Sequence, residues 1–242
     1  TGTKGDQTIT FTDPGEQLRA ARVGLQAQAS SGLPVKFIVL SGPGLITESK
    51  NLSFTGIGEV CIAARQSGNA CWNAAPQAVV TINVINLAMN DYDGDGISDL
   101  APYTSAGGNW NIKYSGGGTT NVSWGFQNST AVCGDYDGDG KADLAVFYDV
   151  TGRWYIRAID GRTLAYNFSW GWPCAKTVTG DYDGDGKDDF AVYDENTGKW
   201  YIWSLAKKQV IAWNLAWGWP GAKPVSGDYD GDRKSDLAVL DV

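Results

Sequence analysis

Histidine is absent from all 242 residues, and methionine occurs once. Without an imidazole there is no Ser-His-Asp or Cys-His catalysis, no His-ligated zinc, and none of the usual near-neutral general base. No apolar run reaches the roughly 18 residues that mark a membrane-crossing helix. Positive charge is also short: 19 Lys and Arg stand against 27 Asp and Glu, a net charge of −8. No basic stripe exists to neutralise phosphates, so nucleic acid is not an expected partner. The four cysteines, Cys61, Cys71, Cys133 and Cys174, form no CxxC pair, which weakens zinc and thioredoxin-type readings. Thr1 rather than Met opens the sequence, as either a processed or a trimmed chain would begin. Abundance lies elsewhere, in 32 Gly, 11 Trp and 11 Tyr, a composition that suits strands joined by tight turns.

The phrase Asp-Tyr-Asp-Gly-Asp-Gly begins at Asp91, Asp135 and Asp181, and returns at Asp228 with Arg233 in its sixth place. Each copy reaches a further aspartate at its ninth position: Asp99, Asp143, Asp189 and Asp236. Four carboxylates within nine residues repel one another unless a cation sits among them. A hard ion that takes oxygen ligands fits, and calcium fits best; magnesium tolerates an all-protein cage poorly. The pattern predicts side-chain ligands at positions 1, 3, 5 and 9 and a backbone carbonyl at position 7. Site one is then Asp91, Asp93, Asp95 and Asp99 with Ile97. Site two is Asp135, Asp137, Asp139 and Asp143 with Lys141. Site three is Asp181, Asp183, Asp185 and Asp189 with Lys187. Site four is Asp228, Asp230, Asp232 and Asp236 with Lys234. Arg233 replaces the turn glycine there and adds a positive charge, so site four is expected to be the weakest. An EF-hand would need Glu at position 12, where Pro102, Val146, Val192 and Val239 stand, and helical flanks. The sixteen motif aspartates hold most of the acidity of residues 89–242, whose net charge is −9 against +1 for residues 1–88.

The copies are 44, 46 and 47 residues apart, the period of a structural repeat. An apolar strand follows each loop: Leu100-Ala101-Pro102, Leu144-Ala145-Val146, Phe190-Ala191-Val192 and Leu237-Ala238-Val239. Then come Gly-x-Trp at Trp110, Trp154 and Trp200, and Trp-Gly at Trp124, Trp170 and Trp217. Four short strands per unit of this length predict propeller-type blades. Three full repeats (90–133, 134–179 and 180–226) and a partial fourth (227–242) are too few to close a ring, and open edges pair readily with other chains. The recurring tryptophans are expected to pack in the core. Trp172 and Trp219, each in Gly-Trp-Pro, are the better candidates for stacking on a sugar.

Residues 1–88 read differently. Strands are expected over Gln7–Phe11, Val35–Leu40, Asn51–Phe54, Val60–Ala64 and Ala78–Val84, several with period-2 alternation. Leu18–Ala29 passes briefly for a helix but lacks a stop signal. A small β-sandwich results. An even cysteine count in a calcium-rich chain points to an oxidising, extracellular setting. Of three possible pairings, Cys61–Cys71 with Cys133–Cys174 is favoured because each pair stays within its own domain; four free thiols are the alternative.

Two resemblances add to this reading. Gln7–Phe11, Ser30–Val35, Gly68–Ala70 and Asn73–Pro76 resemble segments of bacterial immunoglobulin-like modules, which act as spacers in secreted surface proteins. Residues 90–242 resemble FG-GAP-like or VCBS-type repeats, because loop, apolar strand, Gly-x-Trp and Trp-Gly recur in that order. The second resemblance implies calcium loops at blade edges and roles in adhesion, surface attachment or glycan contact. The expected fold class is therefore all-β: an immunoglobulin-like sandwich over 1–88, then an incomplete propeller-like array of three four-stranded repeats with a partial fourth over 89–242. The expected function is that of a secreted, calcium-stabilised structural or adhesion protein, self-associating into an oligomer or filament and located outside the cell or on its surface. The alternative is a carbohydrate-binding propeller lectin with a surface glycan as partner. No catalytic residue is expected: the clustered acids are assigned to metal, and Asp149, Asp160, Asp194 and Glu195 look like hairpin-turn residues.

Overall fold

The structure, a computed structural model, describes residues 3–85 and 88–241. Among the described residues all regular structure is β. The chain divides into two compact units, residues 1–88 with 94–97, and residues 89–93 with 98–242.

The first unit contains β1 (Ile9–Phe11), β2 (Gln17–Leu18), β3 (Arg22–Gly24), β4 (Ala27–Ala29), β5 (Lys36–Ser41), β6 (Gly44–Thr47), β7 (Asn51–Phe54), β8 (Gly58–Arg65) and β9 (Ala78–Ile85). A four-stranded sheet in the order β2-β9-β8-β5 shares a core with a three-stranded sheet in the order β3-β7-β6. Alternation sets the faces. On β9, Ile82 and Val84 are buried while Thr81 and Asn83 are exposed. Leu25, Leu52 and Phe54 meet Val60, Ile62, Ile82 and Val84 between the sheets. Fully burying each such side chain contributes about 1.5–3 kcal/mol. The stretch with passing helical character, 18–29, forms the ends and bodies of β2, β3 and β4 instead. Gly24 interrupts it, and its short strands find partners in β9, β7 and β1.

The second unit begins with β10 (Tyr103–Thr104), β11 (Asn109–Lys113) and β12 (Thr119–Ser123), a three-stranded antiparallel sheet. Two four-stranded sheets follow. One is β13 (Ser129–Val132), β14 (Leu144–Tyr148), β15 (Arg153–Arg157) and β16 (Thr163–Ser169). The other is β17 (Lys176–Thr177), β18 (Phe190–Asp194), β19 (Lys199–Ser204) and β20 (Gln209–Ala216). A two-stranded piece, β21 (Lys223–Val225) with β22 (Ala238–Leu240), ends the array. In the middle sheets each Asp-rich loop lies between the first and second strands, so every sheet starts upstream of its motif. The sheets are thus out of phase with the sequence repeats. The first has three described strands because the chain ahead of its loop closes the sandwich through β9, and Asn86 and Leu87 lie outside the described residues.

The tryptophan pattern has a direct mechanical reading. Trp110, Trp154 and Trp200 donate their indole N–H to the carbonyls of Trp124, Trp170 and Trp217, at 2.8, 2.6 and 2.7 Å. This strut joins the third strand of a sheet to the end of its fourth. Gly-x-Trp and Trp-Gly recur together because their backbones touch. Gly152 has φ 69°, and a Cβ there would stand 2.2 Å from the Trp172 nitrogen. Gly198 has φ 72° and would meet the Trp219 nitrogen at 2.5 Å. Each sheet then packs on the next through an apolar layer. Trp110 and Ile112 meet Leu144 and Val146, and Trp154 and Ile156 meet Phe190 and Val192.

The cysteines correct one expectation. All four are free thiols, so neither Cys61–Cys71 nor Cys133–Cys174 is formed. In each expected pair one partner is half-buried in or beside a strand, and the other lies on an exposed turn. Burial pushes the Cys133 thiol pKa up, which disfavours the reactive thiolate.

Trp154→Ala removes a strut and a fully buried ring, and it is expected to cost about 3–5 kcal/mol. Trp219→Ala, at an exposed site, is expected to change stability by about 0.5 kcal/mol. Denaturant unfolding of both variants in calcium, followed by circular dichroism, measures the difference.

Candidate metal centres along a seam of stacked loops

Each loop folds around its own carboxylates. In loops two, three and four the position-1 aspartate accepts backbone N–H groups on both of its oxygens. Asp135 takes Gly138 (2.7 Å) and Gly140 (2.8 Å), and Asp181 takes Gly184 and Gly186 (both 2.7 Å). Asp228 takes Gly231 (2.7 Å) and Arg233 (2.9 Å). The ninth aspartate closes the loop in all four. Asp99, Asp143, Asp189 and Asp236 accept the N–H of Tyr92, Tyr136, Tyr182 and Tyr229 at 2.7–2.9 Å. Their own N–H groups return to the carbonyls of Asn90, Gly134, Gly180 and Gly227.

Three of the four carboxylates in each motif converge. Asp91, Asp93 and Asp99 offer oxygens within 4.8 Å of one another, as do Asp135, Asp137 and Asp143. Asp181, Asp183 and Asp189 do the same, and so do Asp228, Asp230 and Asp236. Of the position-5 aspartates, Asp185 shares a hydrogen bond with Asp183 of its group. Asp95, Asp139, Asp185 and Asp232 accept the N–H of Ile97, Lys141, Lys187 and Lys234, at 2.8–3.1 Å, and so hold the turn. The carboxylate contact of each position-7 residue is made by its N–H.

The loops are chained as well as repeated. The position-8 N–H of one loop donates to the position-1 carbonyl of the loop before it. Ala142 donates to Asp91 (2.6 Å), Asp188 to Asp135 (2.8 Å) and Ser235 to Asp181 (2.6 Å). The position-4 glycines let the next loop approach: the Lys187 stem lies over Gly138 and the Lys234 stem over Gly184. Asp188, absent from the predicted ligand set, fastens this seam by accepting the Asp135 N–H (2.7 Å).

The electrostatics of loops two and three are unfavourable without a cation. Desolvation pushes the pKa of Asp143 up to about 8, and nearby Asp137, Asp135 and Asp139 add to it; the Tyr136 N–H opposes the shift. Asp135 rises to about 6 and Asp189 to about 7, again chiefly through burial. Asp188 also rises to about 7 for the same reason. Two cations that the motif did not announce come from the hairpins beyond. Arg162 Nη2 is 2.6 Å from Asp137 Oδ2, and Lys207 Nζ is 2.9 Å from Asp183 Oδ1. Their only sequence signal is position, 25 and 24 residues after the position-3 aspartates Asp137 and Asp183.

A hard divalent ion fits this donor set. All twelve converging donors are carboxylates. Both Asp183 oxygens are enclosed; burial pushes this carboxyl up, but Lys207, 2.9 Å away, and Ser204 outweigh it and hold its pKa below the ordinary value. Three converging carboxylates taken partly out of water cost several kcal/mol unless further positive charge offsets them. Calcium would supply that charge. The position-1, -3 and -9 aspartates would hold it, and the turn amides would keep them aimed.

Loop four needs a correction of detail. Arg233 takes φ 71°, close to the 82° of Gly140 and Gly186, and the loop keeps the amide pattern of its neighbours. The substitution strains the turn without breaking it. A non-glycine residue in this region costs on the order of 1–3 kcal/mol. Its cluster is also the most exposed of the four.

Arg233→Gly is expected to raise stability by about 1 kcal/mol in urea unfolding. For the metal-free protein, carboxylates whose folded pKa lies above the unfolded value near 3.9 favour the fold below that pH. This contribution is lost as pH rises through about 6 to 8, the folded values of Asp135, Asp189 and Asp143. In EGTA the melting temperature should therefore fall from pH 5 to pH 8. In millimolar calcium it should be higher at pH 8 and fall as acid protonates the ligands. Tryptophan-fluorescence melts across pH read both slopes.

Two stretches of the chain, residues 135–192 and 181–239, match the family model of the FG-GAP-like repeat. No curated protein matches the chain. Residues 135–239 therefore hold two FG-GAP-like repeats, in keeping with a β-propeller-type repeat protein.

Proposed function

We propose that the protein is a secreted, calcium-stabilised structural or adhesion protein whose repeat array is made rigid by metal in its loop seam. The observation that carries this reading is the fourfold convergence of three carboxylates within 4.8 Å. FG-GAP-like repeats are typical of extracellular proteins, which supports the location. Outside the cell, millimolar calcium would keep even moderate sites filled. A ligand at a hundredfold its Kd stabilises by about 2.7 kcal/mol per site. The sandwich serves as a spacer in this reading, as its resemblance to immunoglobulin-like modules implies.

Catalysis has little to stand on. Asp160 pairs with Arg162, Glu195 with Lys223, Asp149 accepts from Thr130, and Asp194 caps the turn at Asn196 and Thr197. The lectin alternative rests on Trp219, which is exposed. Trp172 instead packs edge-on against Tyr201, at 5.0 Å. Glycan-array binding lost in Trp219→Ala would favour the lectin over the structural role.

Calcium is expected to raise the melting temperature by several degrees per filled site and to protect the array from trypsin, with EGTA reversing both. Equal melts in calcium, magnesium and EGTA would remove the metal from this account. Self-association into an oligomer or filament is tested by light scattering in calcium, where a monomer at micromolar concentration counts against it.

A further inference from the structure

Two hairpins reach back to the metal loops. Arg162 lies in the connection between β15 and β16, and Lys207 in that between β19 and β20. Arg162 Nη2 stands 2.6 Å from Asp137 Oδ2, and Lys207 Nζ stands 2.9 Å from Asp183 Oδ1. Both aspartates hold the third position of their loops and belong to the converging groups.

The two contacts have little in common but charge. One uses a guanidinium and the other an ammonium, which differ in shape and in the geometry of their donors. The connections differ in length, 158–162 against 205–208, and the cations follow their aspartates by 25 and 24 residues. Arg162 divides its donors between two carboxylates, Nε going to Asp160 Oδ2 at 2.7 Å. At Asp183 the second donor is instead the Ser204 hydroxyl, from the end of β19. What recurs is a positive charge at the third aspartate, not one way of orienting it. A hairpin cation is also not needed to fold the loop. Loop one closes with the same Tyr92–Asp99 and Ile97–Asp95 bonds, although the corresponding connection, 114–118, reads Tyr-Ser-Gly-Gly-Gly.

Exposure separates the partners. The Asp137 and Asp183 side chains are 10% and 11% exposed, those of Arg162 and Lys207 57% and 43%. The aspartates are enclosed by their loops, whereas the cations stand at the water's edge. An ion pair at the surface contributes little, so either cation can withdraw into water at small cost. Arg162 keeps Asp160 as a partner when it does so.

We propose that Arg162 and Lys207 are tethered counter-ions that stand in for part of a divalent ion's charge at loops two and three, and that they lower the calcium affinity of these two sites. The inference rests on the calcium reading of the proposed function. Its sign follows from Coulomb's law. In the ion-free loop each cation offsets one of three converging carboxylates and so favours that state. When the same carboxylates hold a divalent ion, the cation faces a like charge and opposes it. Affinity at an oxygen-ligand site follows the charge the protein presents, and here a hairpin residue outside the motif subtracts from it. The calcium level at which sites two and three fill is therefore written in the hairpins as well as in the loops.

The test follows calcium titrations in calcium-buffered solutions by amide signals of the isotope-labelled full chain. Gly140 reports loop two and Gly186 loop three, each donating its N–H to the position-1 aspartate of its loop. Arg162→Gln is expected to lower the calcium midpoint at Gly140 about tenfold, the scale of one unit charge removed beside a divalent ion at a partly exposed site. Lys207→Gln should do the same at Gly186. Arg162→Lys keeps the charge and should leave the Gly140 midpoint near its native value. The rise in melting temperature from EGTA to calcium should be larger in both Gln variants than in the native chain. A raised midpoint in the Gln variants overturns the proposal, because the cations then help to position ligands. Unchanged midpoints overturn it too, and so does an Arg162→Lys variant that behaves like Arg162→Gln. In each of these cases the native chain still responds to calcium, and the metal reading stands. No calcium response in the native chain or in any variant removes the metal reading and this inference with it.

Discussion

Crowded negative charge is the constraint on which the array depends. Each loop folds four carboxylates into nine residues and turns three of them toward one point. Backbone amides from glycine turns satisfy one side of these groups, and the remaining oxygens face each other. Two lone cations, Arg162 and Lys207, relieve the third-position aspartates of loops two and three. They do not reach Asp143 and Asp189, whose pKa values are driven far above the carboxylate range by burial. Without an ion the buried carboxylates hold protons, Asp143 up to about pH 8 and Asp189 to about 7; a divalent ion would take their place and serve all three carboxylates of a cluster.

The seam converts this local problem into a property of the whole array. Because a position-8 N–H of one loop bonds the position-1 carbonyl of the loop before it, a disturbance in one site moves the ligand backbone of its neighbour. The tryptophan struts act on the other side of each sheet. They fix the end of the fourth strand to the third, and through Trp124 and Trp170 they tie that end to the following sheet. One polar and one apolar line of contacts thus run along the repeats. Shear between sheets must break both, which is the mechanical quality a spacer or adhesive stalk requires.

Much of this is legible in the amino-acid sequence. The loop boundaries, the strands after loops two, three and four, the buried tryptophans Trp110, Trp154 and Trp200, and the sandwich strands β1, β5, β7, β8 and β9 follow from periodicity and turn chemistry. What escapes such a reading is what depends on contacts distant in sequence. Arg162 and Lys207 look like ordinary hairpin charges until the fold brings them to Asp137 and Asp183. Asp188 looks like a solvated neighbour of Asp189 until loop two lies against it. The position-5 aspartates match the ligand pattern, and what the sequence does not show is that the Oδ1 of each also holds a turn amide. Trp217 matches the core pattern of Trp170 letter for letter and is exposed, because burial there is conferred by the next sheet and not by the residue itself.

That last contrast shows that the array has a direction. Its first sheet turns Asn109, Asn111 and Lys113 outward, and the two asparagines are satisfied across β11 and β12. Its last full sheet turns Leu215, Trp217 and Trp219 outward, with an indole donor unspent. Hydration of a polar asparagine ladder costs little, whereas leaving large aromatic faces in water forgoes about 25 cal/mol for each Å² of apolar surface. Burial at this position is thus a property of the stack: Trp170 has Trp203 and the Tyr201 carbonyl of the next sheet against it, and Trp217 has no such neighbour among the described residues.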